Sequence, residues 1–89
     1  MINAFVLITI EDKNIRDMAH RLMRIPGVTE TYPVAGVYDF VVVVRVNDNS
    51  TLSRVITEEI VCLPGIASTK TLFALDSYSR VDLDAVFGS

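Results

Sequence analysis

The chain has 89 residues, which is enough for one small domain but only marginally enough to bury a hydrophobic core without a partner. Hydrophobic residues make up 51% of the chain and charged residues 21%, a balance that favours an apolar surface covered by a second copy. The net charge of −3 and the lack of a basic stripe argue against direct DNA binding, and no apolar stretch approaches the roughly 20 residues of a membrane span.

The first predicted elements are a strand and an amphipathic helix. Asn3 to Ile10 alternates in a strand pattern with both faces mostly apolar, and it lacks the basic lead-in and cleavage site of a signal peptide. Asp12 or Asn14 can cap the helix that follows, and His20 lies on its polar side, where we expect a solvated side chain. The predicted buried stripe of this helix is Ile15, Met18, Ala19, Leu22 and Met23.

Two further strands follow the turn that Pro26 and Gly27 supply. Val28 to Val34 is the first of them, and Pro33 places it at a sheet edge because proline donates no ladder hydrogen bond. Phe40 to Val46 is nearly all valine, so both of its faces require cover. This pattern predicts a central strand.

A second helix and a fourth strand complete the predicted domain. Asp48, Asn49 or Ser50 can cap the helix, and the expected buried stripe is Leu52, Val55, Ile56 and Ile60. The single cysteine, Cys62, cannot form an intrachain disulfide and is expected to be a buried core thiol in a cytoplasmic protein. The fourth strand is predicted at Thr69 to Leu75. Residues 76–89 are either a frayed tail or a short docking helix carrying Leu83, Val86 and Phe87.

An internal duplication organises these elements into one fold. Ile25-Pro26-Gly27-Val28 and Leu63-Pro64-Gly65-Ile66 lie 38 residues apart, and each follows a strand and a helix. The order βαββαβ predicts an α+β, ferredoxin-like domain, a four-stranded antiparallel sheet with two helices on one face. The other face would expose Phe5, Leu7 and central valines, so we expect dimerisation through the sheet.

The turn before the valine strand has the most chemical character. Gly36 allows a ligand to approach the main chain, and amides from Ala35 to Tyr38 can hold a small carboxylate. Asp39 can face an ammonium group, which would complete the recognition of an amino acid. The alternative is that Asp39 accepts hydrogen bonds from backbone amides and fixes the turn.

The sequence contains no recognisable catalytic or metal-binding motif. Histidine, cysteine and carboxylate residues show no metal-ligand spacing, and there is no nucleophile-elbow or phosphate-loop pattern. We therefore predict neither a cofactor nor an enzymatic activity.

The motifs resemble the effector-binding (RAM) domain of the Lrp/AsnC regulator family. The resemblance rests on Pro-Gly-Val-x-x-x-Tyr-x-Val-x-Gly-x-Tyr-Asp at Pro26 to Asp39, on Leu63-Pro-Gly-Ile, and on Thr69-x-Thr71-Leu72. It covers about Ala4 to Leu75, so we assign residues 1–75 to the domain and 76–89 to a tail. The resemblance implies a ferredoxin-like domain whose dimers assemble into rings. The expected rings are octamers or decamers. The resemblance implies these ligand-binding residues: Ala35, Gly36, Val37, Tyr38, Asp39, Thr69 and Thr71.

Full-length members of that family carry a helix-turn-helix domain, whereas here the first strand follows Met1 at once. We therefore expect the stand-alone form, which senses an amino acid and regulates transcription or amino-acid metabolism through partners such as a full-length regulator. An assembly-only partner is one alternative. A small dimeric α/β-barrel monooxygenase or isomerase is the other, although the predicted cleft lining of Val, Ile, Leu and Met lacks catalytic groups. The ACT fold fits the topology but matches these motifs less well.

Overall fold

The computed structural model describes residues 1–78 and Arg80. The predicted tail or docking helix at residues 76–89 lies mostly outside the described residues. The strands are β1 (Ile2–Ile10), β2 (Val28–Pro33), β3 (Phe40–Val46) and β4 (Ile66–Phe73), and the helices are α1 (Ile15–Met23) and α2 (Asn49–Arg54). A π-helical segment, Val55–Ile60, continues α2. None of the helices in this part of the chain is long and apolar enough to cross a membrane.

The four strands form one antiparallel sheet in the order β2-β3-β1-β4. β1 and β3 are therefore central, which confirms the interpretation of their two apolar faces. β2 is an edge strand, as Pro33 predicted. The pairing sets Ile8 opposite Phe40 on one side of β1 and opposite Thr69 on the other. This order is the predicted ferredoxin-like arrangement.

The core lies between one face of the sheet and the two helices. Alternate side chains of the central strands, including Val6, Ile8, Phe40 and Val42, are fully buried there. Met18 and Leu22 of α1 pack into the same cluster, and Asn14 caps this helix by accepting a hydrogen bond from the Asp17 amide. The cluster contains no buried polar or charged residue among those described. The prediction for Met23 was wrong, because this last residue of α1 is 46% exposed.

The second helix changes its geometry halfway along. Asp48 caps α2 by accepting from the Thr51 amide at 2.7 Å, and Leu52 is buried. The π-helical segment ends with the Val61 amide donating to the Ile56 carbonyl, a bond that spans five residues. This wider turn sets Val55 and Ile60 on the same buried face.

The prediction that Cys62 is a core thiol was wrong. Cys62 is exposed, and its thiol donates to the Thr57 carbonyl at 3.4 Å. The reason is local: Ile60 takes the last inward position of the π-helical segment, and Val61 and Cys62 directly after it are exposed.

The bounds of β2 and β4 also differ from expectation. β4 begins at Ile66 rather than Thr69, because Ile66 already pairs with Ile10 of β1, next to the hydrogen bond from the Glu11 amide to the Gly65 carbonyl. It ends at Phe73, and β2 ends at Pro33. A shift of register between Thr9 and Ile10 absorbs the earlier start of β4.

The sheet face away from the helices forms a second surface, the open face. Phe5, Tyr32 and Leu72 lie on it, 39%, 49% and 45% exposed respectively. Val41 is partly buried there, and Val43 is only 6% exposed. The open face is thus an apolar surface with polar side chains at its margins.

Candidate functional site

The turn between β2 and β3 is closed by the chain's own backbone. The Val34 amide donates to the Asp39 carbonyl at 3.0 Å, which leaves Ala35 to Tyr38 as the loop between them, the Gly36 turn. The Asp39 amide in turn donates to the Ile8 carbonyl at 2.8 Å and joins the turn to β1. Both backbone groups of Asp39 are therefore fixed.

The side chain of Asp39 is held as firmly as its backbone. Its Oδ2 atom accepts from the Ile10 amide at 2.8 Å and from the Lys13 ammonium at 2.9 Å. The Lys13 ammonium also donates to the Ile10 carbonyl at 3.2 Å. Of the two interpretations of Asp39, the structural one receives direct support, although the amide it binds belongs to β1 rather than to its own turn.

These contacts stabilise the charged form of Asp39. The hydrogen bond from Lys13, and after it the one from the Ile10 amide, lowers the pKa of the Asp39 carboxyl below its ordinary value. The Asp39 side chain is 21% exposed and the Lys13 side chain 66% exposed. The carboxylate is thus an ionised group near the surface with the Lys13 ammonium beside it.

The loop itself offers unused main-chain donors. Within the described residues, no amide from Ala35 to Tyr38 donates a hydrogen bond to the protein. Gly36 has φ +142°, in the region that favours glycine, and a β-carbon built on it would meet no atom within 4 Å. Val37 is 87% exposed. The loop therefore presents open backbone amides next to an anchored carboxylate.

Thr69 and Thr71 occupy a different part of the sheet. They lie on β4, opposite Ile8 and Val6 of β1, and β1 separates β4 from β3. Both are partly buried. Thr71 lines a groove of about 290 Å³ together with Leu52, Ile56 and Phe73, toward the end of the sheet opposite the Gly36 turn. Within one chain, the structure does not bring the two threonines into the loop, and their role in ligand binding remains a prediction.

Sequence reasoning missed Lys13. It lay in a polar stretch between β1 and α1 that was interpreted only as a helix start. The antiparallel pairing of the two central strands contains the signal, since it places the end of β1 beside the start of β3. A cation just beyond β1 is then near an acid just before β3.

With this geometry established, comparisons with known proteins identify the domain. The sequence profile described as the Lrp/AsnC ligand binding domain matches residues 3–82. The chain belongs to the Lrp/AsnC family. The resemblance and the fold expected from the motifs are thereby confirmed.

Lrp/AsnC relatives match both in sequence and in structure. TTHA0845 from Thermus thermophilus is 39% identical, with 90% of this chain and 100% of that chain covered and a TM-score of 0.82. The uncharacterized HTH-type transcriptional regulator YugG of Bacillus subtilis is 36% identical over 72% of this chain and 39% of its own length. A feast or famine regulatory protein of M. tuberculosis, Rv3291c, was solved in complex with L-methionine. It is 30% identical, with 90% of this chain and 54% of that chain covered and a TM-score of 0.71.

This Lrp/AsnC domain is shorter than most of these relatives. It spans 39% to 51% of the length of the curated relatives, all of which are named HTH-type transcriptional regulators. It matches the whole of the Thermus chain. The shared part is the ligand-binding domain.

Proposed function

We propose that this chain is a self-assembling regulatory domain that binds an amino acid at the Gly36 turn. The observation that carries this proposal is the loop of open amides at Ala35 to Tyr38 beside the ionised Asp39. Amides suit the carboxylate of an amino acid, and Asp39 suits its ammonium group. The L-methionine complex of the M. tuberculosis relative supports the same class of ligand.

The proposed role is regulatory rather than catalytic. The curated relatives are named transcriptional regulators, and the core between sheet and helices is apolar throughout the described residues. We propose that the domain acts in the cytoplasm through protein partners, a full-length Lrp/AsnC regulator among them, and not by contacting DNA itself. The net charge of −3 supports this proposal, because DNA is itself strongly anionic.

Assembly is part of the proposed function. The open face exposes Phe5, Tyr32 and Leu72, and a second copy that brings the same face would remove this apolar surface from water. The Gly36 turn lies at the surface of the single chain, so a ligand there needs a neighbouring subunit to cover its other side. We propose dimers through the open face that associate further into a ring.

A melting-temperature screen of the twenty common amino acids tests the proposal. An amino acid present at 100 times its dissociation constant should stabilise the fold by about 2.7 kcal/mol. Gly36→Val should abolish this shift, because the side chain occupies the open space in front of the loop and disfavours the backbone angle at Gly36. Val61→Ala, a change at an exposed valine outside the proposed site, is the control and should retain it. A shift that survives Gly36→Val in a folded protein would place the site elsewhere.

A further inference from the structure

Lys13 is held at the proposed site by two acceptors. Its ammonium donates to the Asp39 Oδ2 atom at 2.9 Å and to the Ile10 carbonyl at 3.2 Å. Exposed ion pairs contribute little to stability in general, and the Lys13 side chain is 66% exposed. The effect of this geometry is instead to fix the Lys13 ammonium beside the Asp39 carboxylate, which borders the Gly36 turn.

Both members of the pair keep hydrogen-bonding capacity. An ammonium group has three donors, and two of the Lys13 donors are used inside the chain. Among the described residues, the Asp39 carboxylate is bonded through Oδ2 only, so its Oδ1 atom can still accept. A positive donor and a negative acceptor thus lie side by side without the pair having to break.

This arrangement is complementary to a zwitterion. The carboxylate and ammonium of an α-amino acid are attached to one carbon and can meet the two charges of the pair simultaneously. A singly charged ligand would satisfy only one of them, and a neutral ligand neither. A charge-assisted hydrogen bond is stronger than a neutral one, so a ligand carboxylate gains more from Lys13 than from a loop amide alone.

We propose that Lys13 binds the ligand carboxylate beside Asp39 and makes the site selective for zwitterionic amino acids. This inference rests on the proposed function and adds Lys13 to the residues that recognise the ligand. Lys13 binds the carboxylate of the ligand, whereas Asp39 binds its ammonium group.

The test is calorimetric titration with a pair of probes. The first probe is whichever of the twenty common L-amino acids, L-methionine included, raises the melting temperature most. The second is its α-carboxamide, which keeps the ammonium and loses the carboxylate charge. Lys13→Met should weaken binding of the amino acid about tenfold or more, the usual effect of losing a hydrogen bond to a charged group. It should weaken binding of the carboxamide much less, because a neutral amide gains less from a cation than a carboxylate does.

Two variants control for charge and for folding. Lys13→Arg keeps a cation and should retain most of the affinity. Arg24→Met removes the same charge at the other end of α1 and should leave both affinities unchanged. Far-ultraviolet circular dichroism checks that each variant is folded.

The outcomes separate this inference from the proposed function. If no amino acid binds the unmodified protein, the proposed function and the inference both fail. If the amino acid binds but Lys13→Met leaves its affinity within twofold, strengthens it, or weakens both probes equally, the inference alone is overturned. A loss of affinity that is clearly greater for the amino acid than for the carboxamide supports it.

Discussion

Asp39 illustrates how one side chain serves the fold and the candidate site together. Its backbone closes the β2–β3 turn and joins it to β1, and its Oδ2 atom binds the Ile10 amide and Lys13. These contacts orient the carboxylate within the single chain, which would lower the entropic cost of the proposed ligand binding. A structural role for Asp39 therefore supports the binding role rather than excluding it.

The charge of Asp39 predicts a pH dependence of stability. Lys13 and the Ile10 amide lower the pKa of Asp39 below its ordinary value of 3.8, so the folded state favours the ionised carboxylate. The resulting stabilisation is complete above pH 3.8 and is lost as the pH falls through the lower pKa of the folded state. Asp39→Asn should therefore melt below the wild type at pH 7, and the difference should shrink in strong acid. Thermal melts of both proteins between pH 7 and pH 2 measure it.

An equal difference in melting temperature at both ends of that range would show that Asp39 stabilises through shape alone.

In the same variant, amino-acid affinity at pH 7 should fall by about ten- to a hundredfold, because one charge-assisted bond to the ammonium group is weakened. Unchanged affinity with a lowered melting temperature would assign Asp39 to the turn only.

At the scale of elements, β3 separates the core from the open face. Val42 faces the helices and is fully buried within one chain, whereas its neighbour Val41 is only partly buried on the open face. Val42→Asp should prevent folding, because it buries an unpaired charge in the core. Val41→Asp should leave a folded chain that no longer dimerises. Circular dichroism and sedimentation velocity distinguish the two results, and a folded dimer of Val41→Asp would exclude the open face as the interface.

The sequence allowed the fold to be predicted where the local pattern determines it. β3 is apolar on both faces, and this pattern identified it as central, whereas β1 was placed beside it by the ferredoxin-like order, with which its own two apolar faces agree. The π-helical segment escaped prediction because Val55 and Ile60 also suit the broader stripe of an ordinary helix. The Lys13–Asp39 pair was missed for another reason: it joins residues 26 apart in sequence, and only the register of β1 against β3 brings them together.

For the whole molecule, binding and assembly are expected to depend on one another. Ala35, Gly36 and Val37 are exposed on the single chain, whereas small-molecule sites usually bury most of the ligand surface. A neighbouring subunit would supply the missing wall of the site. A ligand that binds the assembled form better must, by linkage, also favour assembly.

This coupling gives a final prediction about the size of the protein in solution. Sedimentation velocity at micromolar concentration should show a species larger than a dimer and no 9.9 kDa monomer. Addition of the amino acid from the screen should shift any remaining dimers toward the larger species. Val41→Asp, which leaves the Gly36 turn untouched, should lose both the assembly and the amino-acid binding. A folded 9.9 kDa particle that binds the amino acid with wild-type affinity would show that one chain forms the complete site.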